Sequence, residues 1–501
     1  MREDLAIIRS RRVGAVVLTR GGNGARARRR ILLVSYHFPP DPTVGARRWE
    51  RFAPFVAERG WGLDVITCAP TGECDLKRLE ALPDGVRLFG VPKVKLAAER
   101  LEFLAWSAYR GVDGLLNGKN GKRGDFATHE ERSGNSTQSD LVERSEVSWR
   151  LYSRRGLLRA YWSWLECARY LAWAHRATAS ARTIFEPGVH FAVVTSGPPH
   201  LTHEVGRKIS QRTGLPYVMD MRDPWSLSEK VHESLASPLW FRLARRYERA
   251  AVRQASLIVA NTDAAREALA AAYPEARKRI ITVMNGSDDY PLPPSRHGHR
   301  FTIAYAGTIY GERHPRSLFG AAARVIRGLG LTPSEFGIEF MGGAAPEQQS
   351  LLALADEEGI GGFVSVRPLR PHGEALEFLS SAPMLVTFPG WDTSTVPAKI
   401  FEYVRFDAWL LALVDPGSAA ERILRGSGAD VLASDDTEAI ATAIERRYRE
   451  YRGGARPVRV VGDDRFSRRR QAEILLEAIS RLSVALESGR PQHAAAEQRN
   501  Q

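Results

Sequence analysis

Short apolar runs of strand type alternate along this chain with turn-rich loops and helical stretches, and this alternation restricts the fold more than any other feature. Ile31–Ser35 leads into a proline-rich loop (Phe38-Pro39-Pro40-Asp41-Pro42), then Gly45, a helical stretch stopped by Gly60, and the next run, Leu63–Thr67. Strand, loop, helix and strand in that order make the unit of a parallel sheet with helices on its faces. The unit returns at Phe191–Thr195, a helical stretch around His203–Gln211, and Pro216–Asp220. Leu257–Ala260 and Ile280–Val283 flank a further helix, for which Thr262 is the expected cap and Asp263 a first-turn acid. A second series follows Pro291–Arg300, with strand candidates Thr302–Ala306, Gly337–Met341, Phe363–Val366, Met384–Phe388 and Leu410–Val414.

A chain of 501 residues exceeds what one hydrophobic core usually serves. The expected organisation is an arginine-rich flexible tail over 1–29, a first α/β domain over 30–290, a linker over 291–300 and a second α/β domain over 301–465. A final helix over 466–486 crosses back, and a tail closes the chain at 487–501. A polar stretch at 111–143, rich in Gly, Asn, Ser, Lys and Glu, reads as a mobile insertion. The fold class is therefore α/β, with two Rossmann-like domains facing across a cleft and a ligand between their strand C-terminal ends.

Lys plus Arg total 71 against 58 acids, a net charge of +13 that suits an anionic substrate, an anionic membrane surface or nucleic acid. The three cysteines, Cys68, Cys74 and Cys167, have no zinc spacing and form no disulfide framework. No run approaches the roughly 20 apolar residues that span a bilayer, so a soluble or peripheral protein is expected. The Tyr- and Trp-rich stretch Leu157–Ser180 fits two readings, a helix packed on the first domain or one that rests on a membrane or grips a lipid-like acceptor. Neither a Gly-x-Gly-x-x-Gly after the first strand nor a P-loop signature is present, which argues against nicotinamide dehydrogenases and P-loop NTPases.

The candidate site residues sit at strand exits. On the first-domain side these are Gly45, His200 in Ser196-Gly197-Pro198-Pro199-His200, and Arg222, Asp223 and Trp225 in Asp220-Met221-Arg222-Asp223-Pro224-Trp225. Arg222 suits a phosphate or an acceptor, Asp223 a hydroxyl or a proton, and Trp225 an apolar wall. An internal Arg–Asp pair and a simple turn glycine are the structural alternatives. On the second-domain side Gly307 and Thr308 follow a strand, and Arg313 suits a diphosphate through paired charged hydrogen bonds. Pro389–Thr395 leads into Pro397-Ala398-Lys399-Ile400-Phe401-Glu402-Tyr403, where a proline at the first helical position opens a helix. Lys399 and Glu402, at i and i+3, share a face and fit either a surface ion pair or one shared ligand. Opposed polar loops without a metal cluster suit transfer of a group away from a diphosphate.

Taken together, His37-Phe38-Pro39-Pro40 with Gly45-Ala46-Arg47-Arg48, Ser196–His200, Arg222–Trp225, Gly307–Gly311 and Pro397–Tyr403 resemble glycosyltransferase family 4 of the GT-B superfamily, over most of residues 30–485. The flavour is that of transferases of bacterial surface polysaccharide and related glycan assembly. The resemblance implies a nucleotide diphosphate sugar as donor, bound mainly by the second domain, and an acceptor facing the first. It also implies retention at the anomeric carbon, no cofactor and no obligatory metal. By the same resemblance Glu402 holds the donor ribose and Arg313 and Lys399 neutralise the diphosphate; with Asp223, read from its own chemistry, these are the expected catalytic residues. Many members carry a second glutamate eight residues before the helix glutamate. Ser394 stands there in this chain, so that contact is absent or is supplied by Asp392, Thr393, Thr395 or backbone.

The leading expectation is a retaining transfer of a sugar to a hydroxyl acceptor, lipid-linked or a glycan precursor, by a cytoplasmic protein placed at the inner face of the cell membrane. A sugar-nucleotide epimerase or phosphorylase and a non-catalytic nucleotide-sugar binder are the alternatives. Nucleic acid is not an expected partner, because the basic tail lacks a recognition motif.

Overall fold

The computed structural model describes residues 5–10, 15–20, 29–72, 74–94, 96, 141–147, 154–309, 315–390, 392–460 and 464–488. Its first strands are β1 (Leu5–Ser10), β2 (Ala15–Arg20), β3 (Arg30–Ser35), β4 (Gly62–Cys68), β5 (Val86–Val91) and β6 (Leu141–Glu143). They are followed by β7 (His190–Gly197), β8 (Tyr217–Met221), β9 (Lys230–His232), β10 (Leu257–Ala260) and β11 (Ile280–Thr282). The later strands are β12 (Phe301–Ala306), β13 (Phe336–Met341), β14 (Val364–Arg367), β15 (Met384–Thr387), β16 (Trp409–Val414) and β17 (Asp430–Ala433). One sheet has the order β1-β2-β5-β4-β3-β7-β8-β10-β11, a second the order β14-β13-β12-β15-β16-β17, and β6 pairs β9.

Both large sheets are parallel except at one edge, where β1 pairs β2 and β2 pairs β5 antiparallel. Parallel strands covered on both faces need apolar side chains at consecutive positions. β3 meets that demand, since Ile31, Leu32, Leu33 and Val34 are all fully buried. The side chains divide by the two-residue period of a strand. Leu32, Val34, Val193 and Met219 point to a face covered by the helices Arg154–Ile184, His203–Thr213 and Pro238–Gln254. Ile31, Leu33, Val194 and Val218 point to the other, where Trp49, Phe52 and Val56 of the helix Arg47–Glu58 pack. Ala472, Leu475, Leu476 and Ile479 join that second layer, so the last helix, Arg468–Ser488, crosses back from the second sheet to the first.

The strand order reverses twice. β4 and β5 lie to one side of β3 and β7 to the other; β13 and β14 lie to one side of β12 and β15 to the other. Loops diverge at such switch points and leave a crevice at the strand C-terminal ends. One crevice is thus bounded by His37 and Gly197–His200, the other by Gly307–Thr308 and Phe388–Gly390.

Residues 1–29, expected as a flexible tail, instead contribute β1 and β2 to the sheet edge. Leu5-Ala6-Ile7-Ile8 and Ala15-Val16-Val17-Leu18 are short apolar runs, and the arginines between and after them obscured their strand character. β5 was also missed, because Val86-Arg87-Leu88-Phe89-Gly90-Val91 carries an arginine and a glycine inside a central strand. Most of the expected insertion at 111–143 lies outside the described residues, and its last three residues form β6. In the Trp-rich helix Leu165 and Trp173 are core, as expected of a helix packed on the first domain, while Leu157, Leu158 and Trp164 are 60%, 55% and 48% exposed.

Asp220, next to last in β8, is fully buried and takes four hydrogen bonds from three residues. Arg48 donates through Nε at 3.1 Å and Nη2 at 3.0 Å, Trp49 Nε1 at 2.8 Å and Ser196 Oγ at 3.2 Å. The same guanidinium reaches the carbonyls of Val283 and Met284 and Oδ1 of Asn285. Asp220→Ala leaves a buried cation without its counter-charge, so a loss of about 3–5 kcal/mol is expected. Urea unfolding measures it, and a loss below about 1 kcal/mol would show that the pair is not a keystone.

Candidate functional site

On the second-domain side the short helix Ala398–Tyr403 delivers Lys399 and Glu402 to the end of β12. Pro397 is the residue before this helix, in extended conformation (φ −54°, ψ 128°), rather than its first helical residue. Lys399 Nζ donates to the Ala306 carbonyl at 2.6 Å and lies 5.0 Å from the centre of the Tyr305 ring. Gly307 makes room for it. The glycine has φ +128°, and a Cβ there would overlap the ammonium group. Tyr403 braces the same turn, its hydroxyl accepting from Ala306 N at 2.8 Å. Thr308 lies beside it, its carbonyl accepting from the Tyr305 hydroxyl at 3.2 Å. Arg313 lies outside the described residues.

Glu402 Oε1 accepts from His372 Nε2 at 2.8 Å and from the Tyr290 hydroxyl. Burial works against ionisation, but the bonds from His372 and Tyr290 and the charges of His372 and Lys399 outweigh it and hold the carboxyl below its ordinary range. Lys399 thus bonds to the end of β12 while Glu402 takes His372 and Tyr290, with the lysine close enough to favour its ionised form.

The loop before this helix joins the two domains. Asp392, 3% exposed, accepts from Ser394 N and Oγ on Oδ1 and from the backbone N–H of Glu229 on Oδ2. Thr393 donates to the Glu229 carboxylate through its N–H and its hydroxyl. Thr262 caps its helix as expected, accepting from Ala265 N at 2.9 Å, and also donates to the Ser394 carbonyl at 2.5 Å. The Ser394 hydroxyl is thus engaged inside the loop, and Asp392 is the acidic residue that organises it.

The first-domain crevice widens into a cavity of about 910 Å³ walled by Tyr36, His37, Glu166, Tyr170, His200, Asp223, Trp225 and Tyr247, among others. His200 stacks on Trp225 with ring centres 5.1 Å apart. His200 and His203 are held neutral, the first well below its ordinary range by burial and by its neighbours His203 and Arg222, the second down to about 3 by burial and Arg222. Gly197 permits this arrangement, since a Cβ there would come within 2.8 Å of both His200 Nδ1 and His203 Nε2.

Arg222 differs from the expectation that it would be available to a phosphate. Its guanidinium donates to three backbone carbonyls: Nε to Gly197 at 2.9 Å, Nη2 to Pro198 at 3.0 Å, and Nη1 to Gly45. It ties two strand exits together, and Gly45 is one of the residues it holds. Asp223 beside it has no hydrogen-bond donor among the described residues. Burial, reinforced by Asp392 and Asp220 against Arg222 and Arg48, raises its carboxyl above the ordinary range. Asp392, on the loop before the second-domain helix, is thus one of the charges near Asp223. Among the described residues no group of three or more His, Cys, Asp or Glu is placed to hold a metal ion.

Sequence reasoning missed Tyr290, His372, Glu229 and Glu166. The first two approach Glu402 from 112 and 30 residues away, so no local spacing announces them.

The paired Rossmann-like sheets, the facing crevices and the returning helix make up the GT-B fold. Similar solved structures include a glycosyltransferase from Rickettsia africae (TM-score 0.53, 10% identity, 91% of this chain and 98% of that one). The lipopolysaccharide outer core galactosyltransferase WaaB is another (0.52, 10%, 90% and 99%). An α,α-trehalose-6-phosphate synthase from Burkholderia multivorans is a third (0.53, 13%, 92% and 99%). In sequence, the chain is 28% identical over 203 residues to D-inositol 3-phosphate glycosyltransferase 1 of Catenulispora acidiphila. That alignment takes in 37% of this chain and spans about half, 48%, of the relative. No family model matches the chain.

Glu166 on the cavity wall gives a test of the site's electrostatics. Burial, opposed by Arg169, pushes its carboxyl up to about 7. The folded state then holds this proton over a range in which the unfolded chain has released it, so the group costs stability as pH rises from about 4.5 to about 7. Glu166→Gln is expected to gain in melting temperature relative to the wild type between pH 5 and pH 8. A difference that stays constant across that range would show that the carboxyl is not buried in this way.

Proposed function

We propose that the protein is a retaining glycosyltransferase of the family 4 type, moving a sugar from a nucleotide diphosphate sugar to a hydroxyl acceptor that is lipid-linked or a glycan precursor. The observation that carries the reading is the pairing of two half-sites across the cleft. Lys399, Gly307 and Glu402 line the second-domain crevice, and an aromatic cavity bearing Asp223 lies on the first. The Asp392 loop, hydrogen-bonded to Glu229 and Thr262, joins them.

In this reading the second-domain crevice takes the donor. Lys399 neutralises the leaving diphosphate, with Arg313 joining it, and the glycine at 307 lets the ligand approach the backbone. Glu402 holds the ribose hydroxyls. The sugar lies under the Asp392–Thr395 loop, where Asp392 stands in for the missing acidic residue by shaping the loop. The acceptor enters the cavity along Trp225 and His200, and Asp223 holds its hydroxyl. The bond from the anomeric carbon to the diphosphate oxygen breaks while the acceptor oxygen bonds to the same face of that carbon. The departing oxygen takes the hydroxyl proton, and configuration is kept. The charges in this scheme come from side chains and backbone, without a required metal ion or cofactor.

The name of the Catenulispora relative, D-inositol 3-phosphate glycosyltransferase 1, supports sugar transfer to a hydroxyl-bearing acceptor. The helix Arg154–Ile184 lines the cavity with Ser163, Glu166, Cys167 and Tyr170 while exposing Leu157, Leu158 and Trp164 further along its length. An apolar face beside the acceptor cavity, on a chain of net charge +13, supports attachment to the anionic inner face of the cell membrane.

Mass spectrometry of products formed from a panel of nucleotide sugars and membrane extract tests the reading. Wild-type protein should transfer one sugar, and Lys399→Ala and Glu402→Ala should each lower turnover by roughly 10²-fold. Unchanged activity in either variant removes its residue from the donor site, and sugar transfer to no acceptor in the extract overturns the proposal.

A further inference from the structure

Two groups outside every sequence motif control the carboxylate of Glu402. Tyr290 precedes the stretch that joins the two sheets, and His372 is the first residue of the helix His372–Ser380. Both donate to one oxygen, Oε1, His372 through Nε2 at 2.8 Å and Tyr290 through its hydroxyl. Their rings meet edge to face, with centres 5.5 Å apart at 87°. Tyr290 is itself anchored: the Arg405 guanidinium lies 4.8 Å from its ring centre and donates to its carbonyl. A carboxylate has about four lone-pair sites. Both donors here fall on the same oxygen, and among the described residues nothing donates to Oε2.

We infer that Tyr290 and His372 are the positioning residues of the donor site. By occupying Oε1 from two directions they fix the carboxylate plane and leave Oε2 to the cis-diol of a nucleotide ribose. The inference rests on the donor-site reading of Glu402 and adds what makes that carboxylate selective. A carboxylate free to rotate meets a ribose or a deoxyribose in many orientations. One clamped through Oε1 presents Oε2 in a single orientation, so a sugar lacking the matching hydroxyl leaves it unpaired in a partly desolvated crevice. Neither residue touches the ligand in this account; both act through Glu402.

Calorimetric titration of the full chain with UDP, GDP and ADP, and with the 2′-deoxy form of whichever binds, tests this without an acceptor. Wild-type protein is expected to prefer the ribonucleotide by roughly tenfold or more. In the Tyr290→Phe/His372→Ala double variant the preference should shrink to about twofold or less. His372→Gln, which keeps an N–H donor on a side chain of similar reach, should restore part of it in the Tyr290→Phe background. Tyr290→Phe removes only a hydroxyl, and a melting curve matching the wild type separates positioning from lost folding. Discrimination that survives in the folded double variant overturns this inference alone. Wild-type protein that binds none of the three nucleotides overturns the donor-site reading and this inference with it.

Discussion

The bidentate pair between Arg48 and Asp220 is the interaction on which the rest of the site depends. A charged pair removed from water is stable only when its remaining hydrogen-bond sites are filled. Here they are filled by Trp49, Ser196 and the backbone after β11. One buried centre therefore joins the helix after β3, the ends of β7 and β8, and the turn leading to the interdomain stretch. Arg222 repeats the device one layer outward, spending its guanidinium on the carbonyls of Gly45, Gly197 and Pro198. Two arginines thus convert diverging strand exits into a rigid rim, from which His200, Asp223 and Trp225 can line a cavity.

The second domain solves a related problem by steric economy. Lys399 can reach the end of β12 only because position 307 has no side chain. The resulting crevice brings a lysine, a carboxylate and backbone groups together, and the Asp392 loop presses it against the first domain through Glu229 and Thr262. The cleft is therefore a hydrogen-bonded junction rather than two surfaces that happen to face each other. The same loop is hydrogen-bonded to the first domain at both Glu229 and Thr262.

Much of this was legible in the chain. The parallel strands of both domains stood out wherever they were buried on both faces, as in Ile31–Ser35 and Leu410–Val414, because such strands are continuously apolar. The Thr262 cap and the returning final helix were readable for equally local reasons. Reading failed where a strand lies at an edge or carries polar residues, as in β1, β2 and β5. Local sequence also gave no sign that the Arg222 and Ser394 side chains are engaged by nearby backbone and by Asp392. Residue type states what a group is able to bind, whereas occupancy depends on which neighbours the fold places around it.

The sequence by itself determined the α/β class, the two-domain division, the strand exits that carry polar loops and the presence of Lys399 and Glu402 on one short helix. These follow from hydrophobic periodicity and local turn chemistry, which act over a few residues. Only the tertiary structure decided which of those groups remain available. It turned Arg222 inward, engaged Ser394 with Asp392, placed Asp223 within the electrostatic reach of Asp392, and set Tyr290 and His372 on the same oxygen of Glu402. The reason is physical: hydrogen bonding and desolvation depend on the three-dimensional surroundings of a side chain, which folding assembles from segments two to more than a hundred residues apart.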